Sequence, residues 1–145
     1  MSFGQEIGRW AKDTSQDMAD LHQAAVLKLF SSVILQTPVG NPDNWQNPES
    51  APEGYVGGRL RGNWQVSTGR PASGELDTID SSGNTTVGNM RQFVNGLDFT
   101  KDVEVYLTNN LPYAERIEYF GHSGQAPEGM VRKNLIRISN NLQSR

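Results

Sequence analysis

Few side chains in this sequence could carry acid–base or metal chemistry. The chain has no cysteine and only two histidines, His22 and His122. His22 has no histidine or carboxylate four residues further along, so the helical pair that binds a metal is missing. His122 follows Glu115 and Glu118, and one histidine with two carboxylates could bind a metal or act as a general base. Their spacing matches no established motif, so a small hydrolase-like enzyme centred on His122 and Glu118 is an alternative only.

Two glycine-containing stretches match reaction or phosphate-binding loops only in part. Residues 121–124 read Gly-His-Ser-Gly, but the second glycine follows the serine directly and no predicted strand leads into it, unlike a nucleophile elbow. Residues 57–62 lack the Gly-Lys-Ser/Thr ending of a phosphate loop, and the predicted strand follows them. We therefore predict a protein that is not an enzyme, with no cofactor and no metal.

Composition limits the class of protein. The 145 residues, 35% hydrophobic and 20% charged, are enough for one domain with a small core, which long loops or a partner subunit must complete. The lack of cysteine excludes disulfides and gives no support for an oxidising compartment. The first residues lack the pattern of a signal peptide, and no uninterrupted apolar run reaches the roughly 18 residues of a membrane span. We expect no membrane partner.

Apolar residues at three- and four-residue steps predict a helix over Asp13–Gln36, which Pro38 ends. Three residues at its start are candidate N-caps: Asp13, Thr14 and Ser15. The preceding arm, residues 1–12, has a helix-like stripe of its own: Phe3, Ile7 and Trp10. Near its end the helix is apolar on more than one side, so its own domain or a neighbouring subunit must cover several of its faces.

Residues 38–58 form a long predicted loop with four prolines and little periodicity. Loops of about 20 residues in a compact domain usually bind something or are disordered. Trp45 and Tyr55 favour binding, because large aromatic side chains in a solvated linker would lose the benefit of burial. We expect this extended loop to dock on another surface, for which an adjacent subunit is a candidate.

The rest of the chain alternates short strands and helices. The predicted elements are a strand over 59–68, an exposed connection over 69–84, a helix capped by Thr85 or Thr86 that ends near Gly96, a strand over 102–108, a short helix over 113–119 with Pro112 in its N1 position, and a terminal helix that begins at Pro127. The predicted fold class is α+β, as one domain over 1–145, with a long N-terminal helix, a small mostly antiparallel sheet, helices packed on it and long loops.

Basic residues make nucleic acid a second alternative. Arg59, Arg61 and Arg70 surround the first predicted strand, with Tyr55 and Trp64 among them. The terminal helix has an apolar stripe and basic side chains: Val131, Leu135, Ile138 and Leu142, with Arg132, Lys133, Arg137 and Arg145. The net charge of −3 opposes a surface built to neutralise phosphates, and basic residues near a helix end also complement its dipole. A DNA-binding accessory protein is therefore an alternative.

Three stretches of the chain carry a resemblance to a known family. They are Thr37-Pro38-Val39, residues 58–67 (Gly-Arg-Leu-Arg-Gly-Asn-Trp-Gln-Val-Ser), and residues 105–114 with their continuation through Glu118-Tyr119, Gly121-His122-Ser123 and 125–131. In order and spacing, from about Asp13 to the C-terminus, the chain resembles the tail-completion or neck (head–tail joining) proteins of tailed bacteriophages. It departs from them at Phe120, an extra residue before Gly-His-Ser, and in the long loop after Val39.

The resemblance implies a structural virion protein that forms a homo-oligomeric ring, commonly a hexamer, at the head–tail junction. The implied partners are the connector or head-completion protein and the tail tube or tail terminator protein, with DNA passing through the lumen without sequence-specific binding. It implies a place in the neck or tail of the virion, after synthesis in the host bacterial cytoplasm. For the subunit and partner interface we select seven residues: Trp45, Tyr55, Arg59, Arg61, Trp64, Tyr113 and Tyr119.

Overall fold

A computed structural model describes residues 2–120 and 123–134 of the chain. The elements in order are α1 (Phe3–Gln36), two short 3₁₀ turns (Pro42–Asn44 and Pro48–Ser50), α2 (Arg59–Gly62), β1 (Gln65–Thr68), α3 (Asn84–Asn95), β2 (Val105–Thr108) and α4 (Ala114–Phe120). Residues 131–134 are again helical. The long first helix, the antiparallel strand pair and the further helices confirm the predicted α+β class.

α1 is one continuous helix of 34 residues, about 51 Å long at 1.5 Å per residue. It begins at Phe3 because Ser2 and Gln5 form a capping box, in which the Ser2 hydroxyl accepts the Gln5 N–H and the Gln5 side chain accepts the Ser2 N–H. The predicted start at Asp13, with a separate arm before it, is wrong, because no proline interrupts the helix there. The predicted end is correct: Thr37 is extended, as the residue before Pro38 should be.

The core lies between the second half of α1 and α3. α1 contributes Phe30, Val33 and Ile34, and α3 packs on it with Val87, Met90 and Val94. Other parts of the chain complete this core with smaller contributions: Leu60, Trp64, Phe99, Leu111, Ile117 and Met130. The predicted apolar face of α3, including Val87, Met90 and Val94, is therefore confirmed as a core face.

Only the second part of the first predicted strand, residues 59–68, is a strand in the structure. Arg59–Gly62 forms the single turn α2, and β1 covers only Gln65–Thr68. The prediction failed because Leu60 and Trp64, four residues apart, fit one helical turn as well as they fit a strand. Gly58 begins this turn at φ 119°, and a Cβ atom there would lie 2.5 Å from the backbone nitrogen of Ser81. β1 pairs antiparallel with β2, which confirms the predicted second strand over its last four residues.

α3 is capped by a side chain that lies outside the helix. Asp80 accepts hydrogen bonds from the Gly83 N–H (3.0 Å), the Thr86 N–H (2.8 Å) and the Thr86 hydroxyl (2.8 Å). The predicted caps, Thr85 and Thr86, instead lie inside the helix, whose N-cap is Gly83. Burial raises the pKa of the Asp80 carboxyl, but the hydrogen bonds from Thr86, Gly83 and Ser82 outweigh it and hold the pKa below its usual value.

The last two helices begin later than predicted. α4 starts at Ala114, so Pro112 lies in the turn before it rather than in the first helical position. The terminal helix starts at residue 131 rather than at Pro127, because residues 124–129 form turns in which Gly129 has a positive φ of 87°. Three positions of the predicted terminal stripe lie outside the described residues: Leu135, Ile138 and Leu142.

One window of 18 residues in α1 has a mean hydropathy of 1.2, enough by length and composition for a helix that crosses a membrane. The sequence prediction of no such segment counted only uninterrupted apolar runs and is corrected here. The finding is weak evidence for a membrane, because core helices of water-soluble proteins pass the same test. Only 22% of this window is buried in the structure, and the buried part includes Val33 and Ile34 in the core.

Candidate partner-binding surfaces

Four of the seven predicted interface residues line one groove of 830 Å³: Trp45, Tyr55, Arg59 and Tyr113. The loop over residues 38–58 forms one wall, and α2, the start of α4 and residues 123–125 form the others. The tertiary structure thus brings together residues that are up to 68 positions apart in the sequence. We call the groove that they line the aromatic groove.

The long loop docks on its own chain. The Gln125 side chain accepts the Val39 N–H (3.1 Å) and donates to the Val39 carbonyl (3.0 Å), as the backbone of a neighbouring strand would. Trp45 and Tyr55 pack edge to face, with ring centroids 5.2 Å apart. The Tyr55 hydroxyl lies so close to Gly40 that a Cβ atom there would overlap it. The predicted docking therefore occurs within the chain, and docking on an adjacent subunit stays a prediction.

The aromatic groove offers apolar walls with a few polar groups. Burial raises the pKa of the Tyr113 hydroxyl, so at neutral pH it is protonated and can both donate and accept a hydrogen bond. Arg59 pairs with Glu75 at 3.5 Å, and both side chains are nearly half exposed, so this ion pair adds little stability. Aromatic side chains beside an arginine are typical of the energetically important part of a protein–protein interface.

Arg61 and Trp64 are instead engaged inside the chain, at Thr37. Two guanidinium nitrogens of Arg61 donate to the Thr37 carbonyl (3.1 and 2.7 Å), and the third donates to the Ser81 carbonyl (2.6 Å). The Trp64 indole N–H donates to the Thr37 hydroxyl (2.7 Å), which itself donates to the Val33 carbonyl (2.6 Å). Trp64 is 8% exposed, so the structure places it in the core rather than at the surface where the sequence prediction put it.

Tyr119 lies on α4, where its ring is 61% exposed and the Arg132 guanidinium lies 5.2 Å from its centroid. This contact is a cation–π pair at the surface. Tyr119 does not line the aromatic groove. Of the seven predicted interface residues, four therefore meet in the groove, two are engaged at Thr37, and Tyr119 stands apart.

Glu118, the carboxylate of the enzyme alternative, caps the terminal helix. It accepts hydrogen bonds from the N–H groups of Met130 (2.6 Å), Val131 (2.9 Å) and Arg132 (3.0 Å), and from Arg132 Nε (3.2 Å). Burial raises its pKa, but these hydrogen bonds outweigh burial and hold the pKa below its usual value. His122 lies outside the described residues, within which no cluster of three metal-binding side chains occurs.

The sequence analysis missed one large surface on α1. Five apolar side chains at helical spacing are largely exposed: Phe3 (77%), Ile7 (49%), Trp10 (68%), Met18 (69%) and Leu21 (53%). Thr14 lies between Trp10 and Met18 in this row. We call the five apolar residues together with Thr14 the α1 stripe. The sequence did contain the periodicity that reveals this surface, because the three- and four-residue steps continue without a break through residues 13–15. Dividing the helix at Asp13 separated the row into Phe3, Ile7 and Trp10 in the arm and Met18 and Leu21 in the predicted helix.

An acidic flank runs beside the α1 stripe. Glu6, Asp13, Asp17 and Asp20 directly precede Ile7, Thr14, Met18 and Leu21, and a one-residue step on a helix turns by about 100°. All four acids are exposed. The surface therefore combines an apolar row with negative charge along one side.

No protein-family model, curated protein or solved structure matches this chain significantly. Within the described residues, the aromatic groove and the α1 stripe are the candidate partner-binding surfaces.

Proposed function

We propose that this chain is a structural subunit of a tailed-bacteriophage virion and assembles into a ring of about six copies at the head–tail junction. The ring joins the connector to the tail and continues the channel through which DNA leaves the head. The observation that carries the proposal is the α1 stripe, because a chain that exposes five large apolar side chains on one helix face is completed by another protein. The sequence resemblance supplies the kind of assembly.

A ring also needs two different surfaces on each subunit. A head-to-tail contact closes into a ring only when one surface of a copy meets a different surface of the next. The α1 stripe is one such surface, and the aromatic groove, formed by a separate set of residues, is a candidate surface for a further partner. The connector or head-completion protein and the tail tube or tail terminator protein are the further partners in this proposal, and the assembled protein resides in the virion neck.

The contacts of the candidate reactive residues support a structural role over the alternatives. The carboxylate of Glu118 already accepts four hydrogen bonds as a helix cap, which leaves it poorly placed to act as a general base. Arg61 is bound to the carbonyls of Thr37 and Ser81, so it is not free to neutralise DNA phosphates. We therefore propose no enzymatic activity, and passage of DNA without sequence-specific binding.

Light scattering and electron microscopy of the purified chain test this proposal. We expect rings of about six subunits, or a monomer that forms such rings when connector and tail proteins are added. The double variant Ile7→Ser, Trp10→Ser should lose the rings with unchanged circular dichroism. The matched control Gln16→Ser, on the opposite face of α1, should keep them. A wild-type chain that stays monomeric and also ignores connector and tail proteins would contradict the proposal.

A further inference from the structure

The charges beside the α1 stripe indicate what covers it. Residues 2–21 contain the four acids of the flank against two bases, Arg9 and Lys12. Two copies of α1 that met along their stripes would bring these acidic flanks into one interface, where like charges repel each other. The surface that covers the stripe should therefore be apolar and basic, and so belong to a different part of the subunit.

The C-terminal segment, residues 131–145, has this composition. Val131 packs against the core of its own chain, and the following apolar residues Leu135, Ile138 and Leu142 repeat at steps of three and four, the same steps as Ile7, Trp10 and Thr14. The segment carries four bases and no acid: Arg132, Lys133, Arg137 and Arg145. Its first turn, residues 131–134, is helical in the structure and is capped by Glu118. The segment therefore begins with the helical periodicity that the α1 stripe also has.

The position of this first turn points to a neighbouring copy rather than the same chain. Gln125, six residues before it, is hydrogen-bonded to the backbone of Val39, three residues after the end of α1. Trp10 is about 36 Å along α1 from Ile34, whereas residues 135–145 would span only about 16 Å if the helix continued through them. Such a helix would be too short to cover the first half of its own α1.

We propose that the basic C-terminal segment of one copy packs on the α1 stripe of the next copy and so forms the contact that closes the ring. The inference rests on the proposed function and names the partner surface within it. Each copy gives one segment and receives another, which is the head-to-tail contact that generates rings. Attraction between Lys133, Arg137 or Arg145 and the acidic flank favours this pairing over stripe-to-stripe association.

Cross-linking between engineered cysteines tests the pairing, because the natural chain has no cysteine. Chains with Thr14→Cys and chains with Ser139→Cys, carrying tags of different mass, are mixed under assembly conditions and treated with a short bismaleimide. We expect a covalent heterodimer, and none when Gln16→Cys on the opposite face replaces Thr14→Cys. Homodimers of Thr14→Cys alone would overturn the inference in favour of stripe-to-stripe pairing. A link within one chain of a Thr14→Cys, Ser139→Cys double variant would overturn it in favour of self-coverage.

Charge reversal gives an independent test in the full chain. Lys133→Glu with Arg137→Glu should raise the protein concentration needed for assembly by roughly tenfold. Adding Asp13→Lys and Asp17→Lys to the same chain should restore most of the loss, whereas Arg9→Glu with Lys12→Glu should not. Rings that form normally but give neither the heterodimer nor the charge rescue would overturn this inference and leave the proposed function standing. A wild-type chain with no ring and no co-assembly would overturn both.

Discussion

In the second half of α1, Phe30, Val33 and Ile34 are 8%, 1% and 0% exposed, whereas in the first half Phe3, Trp10 and Met18 are 77%, 68% and 69% exposed. Both halves belong to one unbroken helix and carry apolar residues at the same spacing. They differ in what faces them, because α3 packs on the second half. Helical periodicity therefore shows that a face is apolar, but not whether the same chain or a partner covers it.

The two halves of α1 also contribute to different free energies, one to the free energy of unfolding and the other to that of assembly. Apolar area buried within one copy stabilises the fold of that copy, whereas area left exposed contributes only when a partner arrives. Substitutions in the second half of α1 should therefore reduce the free energy of unfolding. Substitutions in the first half should reduce assembly. The following predictions run from the largest expected change in the free energy of unfolding to the smallest.

Ile34→Ala should give the largest loss. Ile34 is fully buried, so the substitution removes its packing and leaves a cavity, at a cost of about 2–5 kcal/mol. Urea unfolding of the wild type and the variant measures this cost. Leu21→Ala on the exposed α1 stripe is the matched control, and equal losses of free energy of unfolding for the two variants would contradict the comparison.

Thr37→Val should cost about 1–3 kcal/mol, because it removes a buried hydroxyl that serves the Trp64 indole and leaves that N–H without its acceptor. Urea unfolding again measures the change, and the difference in tryptophan fluorescence between the variant and the wild type reports the altered environment of the Trp64 indole. Thr37→Ser, which keeps the hydroxyl, should lie close to the wild type. If Thr37→Ser loses as much free energy of unfolding as Thr37→Val, the methyl group that serine lacks contributes as much as the hydrogen bonds that valine lacks.

Acid should weaken the packed region through Glu118. Its folded-state pKa lies below the ordinary value of 4.5, so its contribution is complete above that value and is lost as the pH falls through the folded-state pKa. The acids beside the α1 stripe are exposed, unlike this one.

Urea unfolding of the wild type and Glu118→Gln at pH 7, 5 and 3 measures the effect. The gap between the two proteins should be widest at pH 7 and 5 and should narrow at pH 3. The same sign holds for Asp80, whose folded-state pKa is also lowered, so Asp80→Asn gives a parallel series. A difference in the free energy of unfolding that stays constant down to pH 3 would contradict the inference that these helix caps act in their ionised form.

Trp10→Ser should have the smallest effect on the fold. Its side chain is 68% exposed, so at protein concentrations below assembly the free energy of unfolding should change by less than about 0.5 kcal/mol. Urea unfolding of the monomer measures this change, and light scattering at higher concentration should show the loss of assembly. A loss of several kcal/mol in the monomer would mean that the stripe is part of the fold.

Sequence analysis succeeded where local rules act alone. The end of α1 before Pro38, the Gly96 end of α3 and the second strand all follow from restrictions or periodicity within a few residues. It failed at Leu60 and Trp64, whose spacing fits two structures, and at Asp80, a cap that only the folded loop brings to α3. The aromatic groove was predicted only in part. Its aromatic residues Trp45, Tyr55 and Tyr113 were each selected from the sequence, but the sequence did not show that they meet in one groove.

The sequence by itself determined the α+β class, the long first helix, its apolar periodicity and the acidic and basic regions at the two ends of the chain. These follow from residue type and spacing, which act over one or two helical turns. Only the tertiary structure decided that the Trp64 indole donates to Thr37, that Glu118 caps a helix and that the α1 stripe is exposed. Such outcomes depend on which distant residues meet, and burial or hydrogen bonding is a property of that meeting rather than of any single segment.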